Sequence, residues 1–167
     1  DEIRYEGYNV DKKKLKVLRN FPSKRMLEES RSMYLNRKFK FNSINLIIYM
    51  NGWLVENRGL EMIRSFIQNS KNLNYIIIYS GINDPFRNFQ SHKLHYLGHL
   101  DSTESLSYYF NADIVFTFYN PEIEINKYAT PNKWGDCLAT STIPVINSEI
   151  LTINNYFNND SFFSVSY

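Results

Sequence analysis

At 167 residues the chain is long enough for one domain with a single buried core, and its composition is globular: 43% hydrophobic, 22% charged and 16% aromatic. A formal net charge of +2 is too small to argue for nucleic-acid binding, and Cys137, the only cysteine, excludes an internal disulfide and favours a reducing, cytoplasmic setting. No apolar run approaches the roughly eighteen residues that span a bilayer, and no signal peptide is visible.

The chain starts at Asp1 rather than Met and stops abruptly in Ser164-Val165-Ser166-Tyr167, which suggests a piece of a longer protein. Its early part gathers Lys12, Lys13, Lys14, Lys16, Arg19, Lys24 and Arg25. This cluster reads as a solvated basic face, with a peripheral contact to anionic lipid at the inner face of the membrane, or to an acidic partner, as the alternative. Val17-Leu18 reads as a short strand, and residues 24–36 as a helix with a poor apolar stripe.

From there strands and helices alternate. Runs rich in β-branched and aromatic residues occupy 46–50, 75–79, 113–118 and 144–146, with a shorter one at 94–97. Each is continuously apolar rather than alternating, as in a parallel sheet covered on both faces. After the first strand, Leu60, Ile63, Phe66 and Ile67 form a helical stripe, with Asn57 as the expected cap. Asp101-Ser102-Thr103-Glu104 has the form of a capping box for a helix through Leu106, Tyr109 and Phe110. Thr130-Pro131 reads as a helix start, with Thr130 as cap and Pro131 first in the helix, sending Trp134, Cys137 and Leu138 to the core. The expected fold is therefore α/β, a Rossmann-like doubly wound parallel sheet with helices on both faces.

In such sheets ligands bind beyond the carboxyl ends of the strands. The loops expected there are Asn51-Gly52-Trp53 leading to Arg58-Gly59, Ser80-Gly81-Ile82-Asn83-Asp84-Pro85, Gly98-His99-Leu100-Asp101, and the long segment 119–129 before Thr130. The last helix start is the most informative. Free N–H groups and the positive end of the helix dipole suit a phosphate, and Lys133 adds a full charge in the first turn. Asn132 and Asp136, four apart, share one helix face, where a carboxylate can accept hydrogen bonds from a ribose diol; an ordinary polar helix face is the plain alternative. Gly52 lets backbone approach a ligand, and Arg58 can reach phosphate from a helix start.

His92, His95 and His99 do not fall on one face of a strand, so His99 reads as lining a pocket rather than as one of three metal ligands. Cys137 reads as buried filler. A nicotinamide or flavin site is disfavoured because no Gly-x-Gly-x-x-Gly follows the first strand, and an NTPase because no loop ends in Gly-Lys-Ser/Thr. A phosphoacceptor receiver needs acidic residues where Asn51 stands.

Residues 17–147 resemble the C-terminal, donor-binding domain of GT-B-fold glycosyltransferases, in the group that includes the family-four type. The first strand with Gly52 and Arg58-Gly59-Leu60-Glu61 looks like that family's glycine loop and arginine/lysine–glycine helix start. Tyr96-Leu97-Gly98 and Ala112-Asp113-Ile114 look like two further strand landmarks. The most specific stretch, Pro131-Asn132-Lys133-Trp134-Gly135-Asp136-Cys137-Leu138-Ala139 before Ile143-Pro144-Val145-Ile146, is similar to the family's Pro-Asn-Lys-x-x-Glu-x-Leu-Ala segment and its Pro-Val-Ile strand.

The resemblance implies one domain over residues 1–167 that binds a nucleoside-diphosphate sugar. Residues 1–22 would serve as interdomain linker and leading strand, and an N-terminal acceptor domain would lie outside the sequence. The implied activity is hexosyl transfer to a glycan or lipid-linked acceptor, as in polysaccharide biosynthesis, with no cofactor and no obligatory metal. Donor contacts fall to Gly52, Arg58, Gly98, His99, Thr130, Asn132, Lys133 and Asp136, with Arg58 and Lys133 stabilising the leaving group. Two features depart from the family pattern. Position 136 is Asp rather than Glu, and the first glutamate of the family's Glu-x7-Glu pair falls on Tyr128, leaving Glu122 or Glu124 as substitutes. A catalytically inactive interaction module of the same fold is the alternative function. A sugar-nucleotide epimerase would need acid/base residues that the sequence does not reveal.

Overall fold

A computed structural model describes residues 19–37, 44–89 and 91–167. The strand expected at Val17-Leu18 and the basic residues Lys12, Lys13, Lys14 and Lys16 lie outside them. The described chain runs α1 (Lys24–Asn36), β1 (Leu46–Asn51), α2 (Leu60–Asn69), β2 (Tyr75–Ser80), β3 (Leu94–Tyr96), α3 (Ser102–Tyr109), β4 (Ile114–Thr117), α4 (Asn132–Thr140), β5 (Ile143–Asn147) and β6 (Phe163–Val165).

The strands form one sheet in the order β3-β2-β1-β4-β5-β6, and every pairing is parallel. The apolar runs become strands because both faces are covered: all six residues of β2 are buried, as are Ile48, Tyr49 and Met50 of β1. Alternate residues serve opposite faces. Ile48, Met50, Ile77 and Tyr79 pack with Leu60, Ile63 and Ile67 of α2. Tyr49, Ile76, Ile78 and Val115 pack with Leu106 and Tyr109 of α3, Cys137 of α4, and Met26 and Leu27 of α1. The strand order runs outward from β1 to β3 and then reverses, resuming at β4 on the other side of β1. This is the arrangement that opens a crevice at the carboxyl edge.

Asp101 caps α3 as expected, its Oδ1 accepting the Glu104 N–H at 2.8 Å. Two other helix starts differ from expectation. α2 begins at Leu60 behind Gly59, whose φ of 75° is left-handed, and Asn57 sits in a 3-10 turn over Glu56–Arg58 instead of capping. A side chain at 59 would be strained by that φ and would collide with Phe118, whose Cδ2 lies 2.9 Å from the Cβ position. α4 begins at Asn132, because Pro131 is extended (ψ 145°) and itself occupies the cap. Thr130 is thus one residue too far back to cap, and no side chain caps α4.

Trp134 and Cys137 are fully buried, but Leu138, expected beside them, is 37% exposed. It lies in the last turn of α4, toward the amino edge of the sheet, where Ile143 is equally exposed. β6 was not anticipated. It is a three-residue edge strand exposed at every position, without the apolar run that marks the buried strands. Among the described residues no helix is long and apolar enough to cross a membrane.

Candidate functional site

A cleft of about 510 Å³ opens at the carboxyl edge of the sheet. It lies between the first turn of α4 and the loops that follow β1, β2 and β3, where the strand order predicts a ligand. Gly52, His99, Asn132, Lys133 and Asp136 line it together. Gly98 and Thr130 do not line it; Gly98 instead supports the floor, its carbonyl accepting the Gly81 N–H at 3.0 Å. Glu122 and Glu124 do not reach the cleft either: both are exposed, and Glu124 pairs with Lys127 at 3.0 Å.

The loops after β1 and β2 interlock closely. Gly52 has a φ of 85° and donates its N–H to the Ser80 carbonyl at 3.0 Å. A Cβ at Gly81 would sit 2.6 Å from the Gly52 oxygen. Both positions therefore need glycine, and the side of Gly52 that faces the cleft is left to the Lys133 stem, 4.0 Å from where its Cβ would be.

Lys133 and Arg58 carry the electrostatics. Lys133 is largely buried, and its amine is pushed down to about 8, first by burial and then by the like charge of Arg58. Arg58 lies outside the cleft lining, with its guanidinium carbon 4.1 Å from the centre of the Tyr119 ring. Among the described residues Arg58 makes no ion pair. Burial pushes the Asp136 carboxyl up to about 6 against the pull of Lys133. Near neutral pH the cleft thus offers Lys133, with the charge of Arg58 acting on it from outside the lining, a carboxylate one helical turn further in, and a helix N-terminus without a side-chain cap. Cys137 is packed behind this turn, and burial pushes its thiol well above the ordinary range, so it stays a protonated filler.

The floor is a polar network that the sequence did not announce. The Tyr49 hydroxyl shares hydrogen bonds with Ser80 Oγ (2.9 Å) and Ser105 Oγ (3.0 Å). Asn51 donates to Ser105 Oγ at 2.8 Å and accepts from the Tyr109 hydroxyl at 3.0 Å. Burial pushes the Tyr49 phenol up to about 12 and Tyr109 well above its ordinary value, so both stay protonated, Tyr109 bonding Asn51 directly and Tyr49 bonding its partner Ser105. Ser105 lies in a helix buried over five consecutive residues, so no local pattern marks it as facing the cleft. Residues Phe21, Trp53 and Ile82, all at least half exposed, form an apolar rim.

Asn20, Phe21 and Pro22 also line the cleft. Asn20 donates its side-chain amide to Asn132 Oδ1 at 2.9 Å. Its carbonyl lies where a side chain at Gly135 would have to be. Among the described residues no group of three metal-ligating side chains comes together.

No protein-family model matches the sequence, and no curated protein does. Solved structures match the fold. A glycosyltransferase from Rickettsia africae aligns over 99% of this chain and 46% of its own, at 15% identity and a TM-score of 0.58. The C-terminal domain of a group 1 glycosyl transferase (LpcC) from Francisella tularensis aligns over 88% of this chain and 77% of its own, at 14% identity and a TM-score of 0.54. The catalytic domain of starch synthase IV from Arabidopsis thaliana, bound to ADP and acarbose, aligns over 96% of this chain and 36% of its own, at 14% identity and a TM-score of 0.53. The chain therefore has the fold of a GT-B C-terminal domain, and it spans less than half the length of the Rickettsia and Arabidopsis proteins.

Proposed function

We propose that this chain is the donor-binding domain of a glycosyltransferase that takes a nucleoside-diphosphate sugar and passes the sugar, a hexose, to a glycan or lipid-linked acceptor. The observation that carries the reading is Lys133 at the open start of α4, lining a cleft at the reversal of strand order with the charge of Arg58 acting on it from just outside the lining. A largely buried amine beside a second cation is the complement of a dianionic diphosphate, which relieves their repulsion. Asp136 takes the ribose hydroxyls, and the loop around Gly98 and His99 lies by the base. Asn132 orients the turn through its contact with Asn20.

Glycosyl transfer breaks the bond between the anomeric carbon and the diphosphate oxygen, and negative charge builds on the departing diphosphate. Fixed cations and helix N–H groups stabilise that charge more in the transition state than in the ground state, which lets them stand in for a metal ion. The acceptor and any catalytic base belong to a second domain, so this domain alone binds donor weakly and turns over little. Calorimetric titration with UDP, GDP, ADP and their sugars tests the reading. Saturable binding of at least one supports it, and silence from all of them sinks it.

An inactive interaction module is the second reading. It is favoured by the exposure of Tyr128, Glu122 and Glu124, which leaves no carboxylate at the place of the first family glutamate. On that reading Lys133→Ala and Asp136→Ala leave the biological role of the full-length protein intact.

A further inference from the structure

Asn147 is fully buried at the carboxyl end of β5, and both of its polar atoms are used. Its Oδ1 accepts the backbone N–H of Tyr119 at 2.9 Å, and its Nδ2 donates to Glu149 Oε2 at 3.1 Å. Only a side chain with an acceptor at one end and a donor at the other satisfies both neighbours. Aspartate would set a second carboxylate against Glu149, and leucine would leave the Tyr119 N–H buried without a partner.

The Tyr119 end of this bridge leads to the donor site. The Tyr119 ring lies 4.1 Å from the Arg58 guanidinium carbon, and the next residue, Asn120, donates its N–H to the Asn57 carbonyl at 3.1 Å. The exit from β4 therefore grips the 3-10 turn that carries Arg58 by ring and by backbone. The Glu149 end returns to the same turn. Glu149 Oε1 accepts from Ser166 Oγ (3.2 Å) and from the Tyr167 N–H (3.0 Å), and the Tyr167 hydroxyl donates to the Glu56 carbonyl at 3.1 Å. Asn147 thus sits in a closed circuit of contacts that begins and ends on the Arg58 turn.

We propose that Asn147 is a positioning residue for the diphosphate: it fixes Tyr119, whose ring aims the Arg58 guanidinium at the phosphate beside Lys133. The inference rests on the donor-site reading above. It accounts for an arginine that, without an ion pair among the described residues, lies over a tyrosine ring, and for a buried amide where β5 ends.

The test compares a nucleoside diphosphate with its monophosphate. UDP, GDP and ADP are titrated into the protein first, and the pair that binds best, for example UDP and UMP, is carried through the variants. Losing one charge-assisted phosphate contact weakens binding about tenfold or more. Arg58→Gln, Asn147→Leu and Tyr119→Leu are each expected to weaken the diphosphate by about that factor while changing the monophosphate less than about twofold. Tyr119→Phe, which keeps the ring, restores the preference for diphosphate. Adding Asn147→Leu to Arg58→Gln brings no further loss, because both act on one contact. Should Asn147→Leu fail to fold, Tyr119→Leu leaves the Asn147 bond to the backbone intact and decides the matter alone. Equal losses for the two nucleotides, or additive losses in the double variant, overturn the positioning role and leave the donor site standing. A wild-type protein that binds none of the nucleotides overturns the donor site and this inference together.

Discussion

If Lys133 serves the proposed donor site, it does so at the expense of the unliganded fold, so replacing it with methionine should stabilise the protein while destroying its binding. The buried amine beside Arg58 titrates at about 8 rather than at its ordinary 10.5. At about 1.4 kcal/mol per pH unit, that difference places an upper bound of ~3 kcal/mol on what the charged amine costs the folded state below pH 8. The sign follows from proton counting. Between about 8 and 10.5 the unfolded chain holds a proton that the folded one has released, so stability rises with pH through that window. Methionine keeps the length and apolar stem of lysine without the charge. Lys133→Met should therefore raise Tm at pH 7 by about 5–10 °C, taking roughly 2–4 °C per kcal/mol for a domain of this size. The gain should shrink as pH rises from 8 toward 10.5 and vanish above it. Thermal unfolding followed by circular dichroism at pH 7, 8.5 and 10 reads the stability, and calorimetry with the best-binding nucleoside diphosphate reads a loss of about tenfold or more. A variant no more stable than wild type at pH 7, or an advantage that persists unchanged at pH 10, refutes the reasoning.

Asp136 should govern the acid side of donor binding. Its carboxyl titrates at about 6 in the free protein, and a ribose hydrogen-bonded to it favours the ionised form. Affinity is then full above pH 6 and falls by up to about tenfold per pH unit below it, and Asp136→Asn flattens that limb. A nucleotide sugar should be used for this titration, because a free terminal phosphate titrates near pH 6 itself. Gly59→Ala should destabilise by about 2–5 kcal/mol, combining a left-handed backbone with overpacking against Phe118, and chemical denaturation measures it. Gly135→Ala should displace the Asn20 segment and break its bond to Asn132, weakening donor binding several-fold with little change in Tm. A loss of stability comparable to that of Gly59→Ala would show that the segment is part of the core.

The central strands were legible because each is an uninterrupted apolar run, and a sheet buried on both faces leaves such a run no other place. The edge strand β6 was not, since Phe163-Ser164-Val165 is exposed and carries no period to detect. Helix starts were legible only where chemistry was local. Asp101 signals its cap through Glu104 three residues on, whereas the cap expected at Asn57 gives way to a left-handed Gly59, which has no room for a side chain beside Phe118, nearly sixty residues distant in sequence. The same division holds in the site. Lys133 could be read from its place in the first turn of a helix and Asp136 from its spacing to Asn132, but Ser105 lines the cleft, and Tyr119 and Asn147 connect to Arg58, through contacts between elements, and no spacing encodes those.

The wrong expectation at Thr130 is the instructive one. A capping residue was available beside Pro131, and a cap contributes about 1 kcal/mol to a helix. The backbone forgoes it: Pro131 is extended, α4 starts at Asn132, and its first turn faces the cleft without a side-chain acceptor. Lys133 in that turn is held near a second cation, although solvent would serve it better. Each feature costs the empty protein stability, and on the donor-site reading each is offset by the same thing, a group of high negative charge in the cleft. A pure scaffold has no use for either. Two local costs with one common remedy are what the proposed donor site requires. For that reason the stability gain in Lys133→Met and its loss of binding must appear together if the donor reading is right.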